Sequence, residues 1–333
     1  MKTVFLIDSD KYHTYVYPES VIASLREITD CDGVCYTPDD LRERPGLFAD
    51  TENVFSTWMM PRLTSDEVAA LLPSLKNIFY AAGTVQYFAR PYMENGVRVF
   101  SAWAANAVPV AEYAVAQIVL ANKGFFRSSS FRSLEEHAAA DRTFRLYPGN
   151  YSVKVGILGA GMIGKKVISL LRPLGIDVLV FDPFLPDETA AELGVEKASL
   201  ERVFAECQTV SNHLASNEAT YGMLGGKLFE SMLPHATFLN TGRGAQVVEA
   251  EMCAVLKDRP DLTAVLDVTQ PEPPQDGSEL YSLPNVILTP HMAGSSGNEV
   301  HRMAEYMLDE YRRVSAGDAP MWEVTEKMLR TMA

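Results

Sequence analysis

Cysteine is scarce in this sequence, and basic charge is in the minority. The four cysteines, Cys31, Cys35, Cys207 and Cys253, make no C-x-x-C pair and no ligand-like cluster with the six histidines. Neither a disulfide framework nor a metal site is expected; free thiols in a reducing compartment are. Lysine and arginine total 29 against 43 acids, a formal net charge of −14. Nucleic acid and anionic membrane both require a basic face, so neither is an expected partner. Long apolar runs are missing too. The opening MKTVFLIDSD holds four consecutive strongly apolar residues before Asp8, too few for the apolar core of a signal peptide. The longest apolar stretch, around residues 107 to 121, contains Glu112 and falls short of a membrane span. A cytoplasmic protein is expected. No internal repeat and no low-complexity tract occurs. With 47% hydrophobic and 22% charged residues over 333 positions, the composition is that of a globular chain long enough for two domains.

What is present is more specific. Residues 153 to 182, VKVGILGAGMIGKKVISLLRPLGIDVLVFD, read as a strand, a glycine turn, a helix and a second strand ending in an acid. This is the sequence form of a dinucleotide site. Gly159, Gly161 and Gly164 supply a tight turn, close backbone approach to a pyrophosphate and close packing of helix on strand. The helix that opens there aims free N–H groups and its positive dipole end at the phosphates. G-x-G-x-x-G alone is a weak signal. It gains weight from the apolar run Val153, Val155, Ile157 before it, the helical stripe Val167, Ile168, Leu170, Leu171 after it, and Asp182 eighteen residues beyond Gly164. A carboxylate at position 182 accepts a ribose hydroxyl and repels a 2′-phosphate, and Pro183, Phe184 and Leu185 offer no arginine to receive one. NAD is therefore favoured over NADP.

Short apolar runs at Val4 to Ile7, Val54 to Phe55, Ile78 to Ala82 and Val97 to Phe100 read as strands, with helical patterns such as SDEVAALLPSL, capped by Ser65, between them. The first hundred residues thus form an α/β unit without a glycine fingerprint. The second half repeats the alternation, with strands near 153–158, 177–182, 208–212, 236–240, 263–267 and 286–289. That count suits a six-stranded doubly wound parallel sheet, a Rossmann cofactor domain. VPVAEYAVAQIVLANK reads as a long apolar helix leading into it. Residues 122 to 150 follow with little periodicity; Arg127, Arg132, Arg142 and Arg145 are diluted by Glu135, Glu136 and Asp141, which suits a solvated or subunit-contacting arm better than a DNA-binding one. NEVHRMAEYMLDEYRRV, with Val300, Met303, Met307 and Leu308 near one face, reads as a helix returning to the first domain.

Three further motifs end expected strands on the side where doubly wound sheets bind ligands: NTGRG at 240–244, DVTQPEP at 267–273 and TPHMAG at 289–294. Singly, Arg243 reads as a surface ion pair, Glu272 as a loop carboxylate and His291 as a loop histidine. Together they supply what hydride transfer to a keto acid needs. A guanidinium fork binds the anion and polarises its carbonyl, an imidazole gives or takes the hydroxyl proton, and a carboxylate holds that imidazole in one orientation.

On these motifs, with the VAE of Val110 to Glu112, the chain resembles the D-isomer-specific 2-hydroxyacid dehydrogenases over nearly its whole length. The resemblance implies Arg243 as the substrate-binding arginine, Glu272 as the orienting acid and His291 as the acid/base. It implies a flavodoxin-like α/β substrate domain from residues 1–103 and 297–333, an NAD-binding Rossmann domain from 104–296, and a homodimer built on the cofactor domains. Cofactor contacts are then expected from Gly159, Gly161, Met162, Ile163, Gly164, Asp182, His213, Ala215, Thr220, Thr241, Gly242, Asp267, His291 and Gly294, with Asp267 facing the nicotinamide amide. Substrate contacts are expected from Gly83, Thr84, Arg243 and His291. The partner is a small 2-keto or 2-hydroxy acid; no metal is expected. Departures are informative. Ala82, Thr84 and Gln86 stand where the family has a Gly-x-Gly-x-Asp turn, and His213, Leu214, Ala215 replace the His-x-Pro of the cofactor loop. Trp58 falls where phosphoglycerate-type members carry arginine and Trp103 where proline is frequent, so large apolar keto acids suit the chain better than phosphorylated ones if both tryptophans line the pocket. Two alternatives remain: an NAD(H)-sensing corepressor-like protein of the same fold, and a dehydrogenase of another small anion such as phosphite or formate. Formate enzymes usually have Gln where Glu272 stands.

Overall fold

Runs rich in Val, Ile, Phe and Tyr suit a pleated sheet buried on both faces, and a computed structural model, which describes residues 1–329, forms strands from them. The last four residues of the C-terminal segment 297–333 lie outside the described residues. The chain divides into two units, Met1–Asn106 with Ser295–Ala333, and Ala107–Gly294.

In the first unit β1 (Lys2–Leu6), β2 (Cys35–Tyr36), β3 (Thr51–Ser56), β4 (Asn77–Tyr80) and β5 (Arg98–Ser101) form a parallel sheet ordered β2-β1-β3-β4-β5, the flavodoxin-like order. β2, two residues long, had no apolar run to announce it. The register sets Phe5 opposite Phe55, Phe55 opposite Phe79 and Phe79 opposite Phe100. Their rings follow one another at 6.0, 5.0 and 4.9 Å, all fully buried. The helix Glu299–Ala316 covers this ladder with Val300, Met303, Met307 and Tyr311, whose ring meets Phe79 at 5.4 Å. The helix Ser65–Leu71 is capped by Thr64 rather than Ser65. Thr64 accepts from Glu67 N–H while Glu67 accepts from Thr64 N–H, a reciprocal box that Ser65 is one residue too late to make.

The second unit holds β6 (Lys154–Leu158), β7 (Asp177–Phe181), β8 (Glu196–Lys197), β9 (Thr209–Asn212), β10 (Thr237–Asn240), β11 (Thr263–Leu266) and β12 (Val286–Leu288), all parallel, ordered β12-β11-β10-β9-β6-β7-β8. Seven strands replace the six expected, because β8 is an exposed Glu-Lys edge pair without an apolar signature. The order reverses between β6 and β9, and such a switch opens a crevice at the C-terminal strand ends.

The apolar helix runs Trp103–Asn122 and starts earlier than VPVAEY suggests, with Pro109 inside it. It is long and apolar enough to cross a membrane by length and composition, which corrects the shorter stretch read from sequence. Half of its most apolar window is buried, and Ala111, Ala114 and Ile118 belong to the core of the second unit. Residues 122–150 are not aperiodic coil: they contain helices Phe125–Ser128 and Leu134–Phe144. The second of these buries none of its residues, so it carries no apolar stripe to detect.

Candidate active site

The glycine turn follows β6 and opens the helix Met162–Leu171, whose cap residue Gly161 provides no side-chain partner for the first N–H groups. Gly159 has φ +87°, and a Cβ there would lie 2.7 Å from the His213 carbonyl oxygen. A Cβ on Gly164 would fall 2.0 Å from the Gly159 carbonyl, whereas one on Gly161 would meet nothing within 4 Å. Two glycines are thus needed by the protein itself, and the third leaves open space before the helix dipole, where a pyrophosphate fits. Asp182 ends β7. Its Oδ2 accepts from Ala160 N–H at 2.7 Å and its Oδ1 from Phe184 N–H at 2.8 Å, so the acid pins the turn while each oxygen keeps a lone pair for a ribose hydroxyl. Met162 is exposed and Ile163 half-buried beside the turn.

Arg243, Glu272 and His291 follow β10, β11 and β12 in turn. Gly244 lets the first two loops approach, since a Cβ there would lie 2.0 Å from the Thr269 backbone. His291 Nδ1 stands 2.6 Å from Glu272 Oε1. A carboxylate only accepts, so the shared proton sits on Nδ1 and Nε2 is left to exchange one with a ligand. His291 has φ +52°, a left-handed backbone uncommon for a side chain of its size. Arg243 is half-buried, and burial lowers its pKa against the raising influence of Glu272. Among the described residues its side chain makes one hydrogen bond, Nη1 to Gly242 O at 2.8 Å, which leaves the rest of the fork for an anion.

Other expected cofactor residues have structural partners. Asp267, 2% exposed, accepts from Thr289 Oγ1, Met292 N–H and Ala293 N–H at 2.6, 2.8 and 3.0 Å, and so holds the loop that carries His291 and ends at Gly294. His213 is buried, with Nε2 2.8 Å from Ser211 Oγ and Nδ1 3.3 Å from Thr241 Oγ1; desolvation pushes its pKa to about 4, so the imidazole is neutral. Thr220 Oγ1 donates to Ala215 O at 2.7 Å and closes the loop after His213. The sequence reading missed Asn212 and Gln246, buried amides between this loop and Arg243. Asn212 ends a buried strand, where a polar residue must find partners, and that was the available signal for it.

In the first unit, Gly83 and Thr84 follow β4. Ser101 Oγ donates to the Ala82 and Gly83 carbonyls at 2.9 and 2.6 Å, which fixes the loop. Trp58 follows β3 at the β1/β3 switch, with Tyr12 at 6.0 Å and Tyr15 at 6.4 Å. Trp103 sits in a separate group, 5.9 Å from Trp322. The expectation that cysteine and histidine form no cluster is corrected at one place. Ligand atoms of Asp10, His13 and Cys35 lie within 4.8 Å of one another, brought together from distant positions by β1 and β2. Burial pushes the Cys35 thiol up to about 12.

A doubly wound sheet with this turn, an arginine fork and a carboxylate-held histidine at its strand ends defines a dinucleotide-dependent oxidoreductase for an anionic carbonyl substrate. The profile of the D-isomer specific 2-hydroxyacid dehydrogenase NAD binding domain matches residues 121–293, 173 of the 333. The 2-hydroxyacid dehydrogenase homologue YoaD of Bacillus subtilis is 30% identical over 84% of this chain and 75% of its own. A glyoxylate reductase of Korarchaeum cryptofilum is 32% identical over 54% of each. The apo D-mandelate dehydrogenase of Rhodotorula graminis shares the fold, with a TM-score of 0.81 over 98% of both chains at 21% identity. The chain belongs to the D-isomer-specific 2-hydroxyacid dehydrogenases, NAD-dependent oxidoreductases that interconvert 2-keto and D-2-hydroxy acids.

Proposed function

We propose that this protein reduces a 2-keto acid with NADH through Arg243, Glu272 and His291, and that the unit of residues 1–106 and 295–329 is its substrate domain. The observation that carries the reading is the 2.6 Å His291–Glu272 pair beside a guanidinium with free donors. NADH, when bound along the glycine turn, supplies the hydride. Arg243 grips the substrate carboxylate and polarises the carbonyl. His291 delivers its Nε2 proton to the oxygen that gains charge, and Glu272 holds the imidazole in line. In oxidation the same imidazole accepts the hydroxyl proton. Gly83 and Thr84 are substrate contacts through backbone N–H groups.

The protein acts as a cytoplasmic homodimer. Support for the dimer comes from the arm of the second unit, where Phe125, Phe131 and Phe144 line a cleft of 480 Å³ and Leu134 is 91% exposed. Free cysteines suit a reducing compartment. The acidic charge disfavours nucleic acid and anionic membrane. The test is NADH oxidation with glyoxylate, pyruvate, hydroxypyruvate, phosphohydroxypyruvate and branched or aromatic keto acids. Turnover with at least one, lost by tenfold or more in Arg243→Lys, is expected; no turnover with any removes the reading.

A further inference from the structure

We propose that Gln246 is a positioning residue that couples cofactor binding to anion binding, by tying the loop after β9 to the backbone of Arg243. The coupling rests on the reading of Arg243 as the anion-binding residue. Three amides carry the argument: Asn212 at the end of β9, Asn240 at the end of β10, and Gln246 in the single turn Gly244–Gln246. None is more than 1% exposed. Gln246 Nε2 donates to the carbonyls of Leu214 and Ala215 at 3.0 and 3.1 Å. Its Oε1 accepts from Arg243 N–H at 3.1 Å and from Asn212 Nδ2 at 2.7 Å. Asn212 Nδ2 also reaches Asn240 Oδ1 at 2.9 Å, while its Oδ1 accepts from Leu214 N–H at 3.2 Å. Asn240 closes the set, accepting from Gly242 N–H at 3.0 Å and donating to Arg243 O at 3.3 Å.

Every polar atom of the three amides has a partner, and the pattern fixes their orientation. Turning the Gln246 amide over would set its NH₂ against two donors and its oxygen against two carbonyls. A fully satisfied buried network of this kind is stiff. It also leaves no room at Gly242, where a Cβ would lie 2.8 Å from Gln246 Oε1 and 2.9 Å from Asn212 Nδ2. One side chain therefore grips both the 214–215 loop and the arginine. Ordering of that loop by the cofactor is passed to Arg243, and by reciprocity an anion on Arg243 tightens the cofactor by the same factor.

The test is calorimetry of oxamate binding to the protein with and without NADH. Wild type should bind oxamate more tightly with NADH present. In Gln246→Met that tightening factor should fall about tenfold. Gln246→Glu keeps the acceptor for Arg243 and Asn212 but loses both donors to the loop, and should lose the factor as well. A merely structural Gln246 would weaken both affinities together and leave the factor intact; that result, or a wild type whose oxamate affinity ignores NADH, overturns the proposal. Hydrogen exchange on wild type needs no variant: NADH alone should slow exchange in the peptide containing Arg243 and Gln246, and unchanged exchange also overturns it. A protein that couples NADH to oxamate through Gln246 yet reduces no keto acid would keep this coupling and lose the reductase reading.

Discussion

Acidification should destabilise the second unit through His213, and the structure sets the size of the effect. The imidazole is 9% exposed between Ser211 and Thr241, and desolvation lowers its pKa from 6.5 to about 4. The unfolded chain takes up a proton there near pH 6.5; the folded one does not until near pH 4. Between those values the unfolded state binds more protons, so stability rises with pH. The contribution is whole above pH 6.5 and is lost as pH falls toward 4. The separation is about 2.5 pH units at ~1.4 kcal/mol each, so the loss approaches ~3 kcal/mol. Ion-paired carboxylates such as Glu206, held at about 2 by Arg202 and Lys154, act in the same direction at lower pH, and desolvated His13 acts likewise. The informative quantity is therefore the difference between wild type and His213→Gln, which keeps hydrogen-bonding groups for both hydroxyls and does not titrate. Trp58, Trp103 and Trp322, the three tryptophans, lie outside residues 107–294, so tryptophan fluorescence is the wrong probe. Hydrogen exchange of peptides from β9 and β10, followed from pH 7 to 5 with correction for intrinsic exchange, reads the right unit. Equal pH dependence in wild type and His213→Gln would refute the argument.

Asp182→Ser should narrow the preference for NAD over NADP in kcat/KM by tenfold or more and weaken NADH binding, since the Ala160 N–H loses its carboxylate; an unchanged ratio would falsify the cofactor assignment. His291→Asn should cost about 10²- to 10⁴-fold in kcat, the usual range for a positioned proton donor, and Glu272→Gln should cost less because an amide still accepts from Nδ1. Full activity in His291→Asn would move the proton chemistry elsewhere. If Trp58 lines the substrate crevice, phenylpyruvate should exceed phosphohydroxypyruvate in kcat/KM by at least tenfold. The reverse order would exclude Trp58 from that role.

Much of the fold was readable because burial on both faces of a parallel sheet writes long strands as apolar runs, as in VKVGIL and NIFYAA. β2 and β8, each two residues long, escape any window-based reading, and the exposed helix Leu134–Phe144 has no apolar stripe to show. The site divides along the same line. Arg243, Glu272 and His291 stand in short motifs at strand ends because each chemistry admits few residue types, and the 2.6 Å pair brings Glu272 and His291 together. Asn212 and Gln246 were missed because their role depends on partners 28 to 34 residues away in sequence, which spacing does not encode.

Asp267 has a structural role that its sequence motif does not announce. The family resemblance implies a contact between it and the nicotinamide amide. In the fold its carboxylate is already engaged by Thr289, Met292 and Ala293, on either side of a histidine held at φ +52°. A left-handed backbone costs a non-glycine residue about 1–2 kcal/mol. Hydrogen bonds to a charged group each contribute about 1.5–3 kcal/mol, so three of them more than offset the strain. The turn is therefore imposed by Asp267 rather than preferred by His291, and it presents the imidazole beyond the end of β12 toward Glu272. An acid chosen for a cofactor alone would not need all three of these donors. The one found here fixes the loop of His291 first, and any contact it makes with NAD uses the lone pairs that remain.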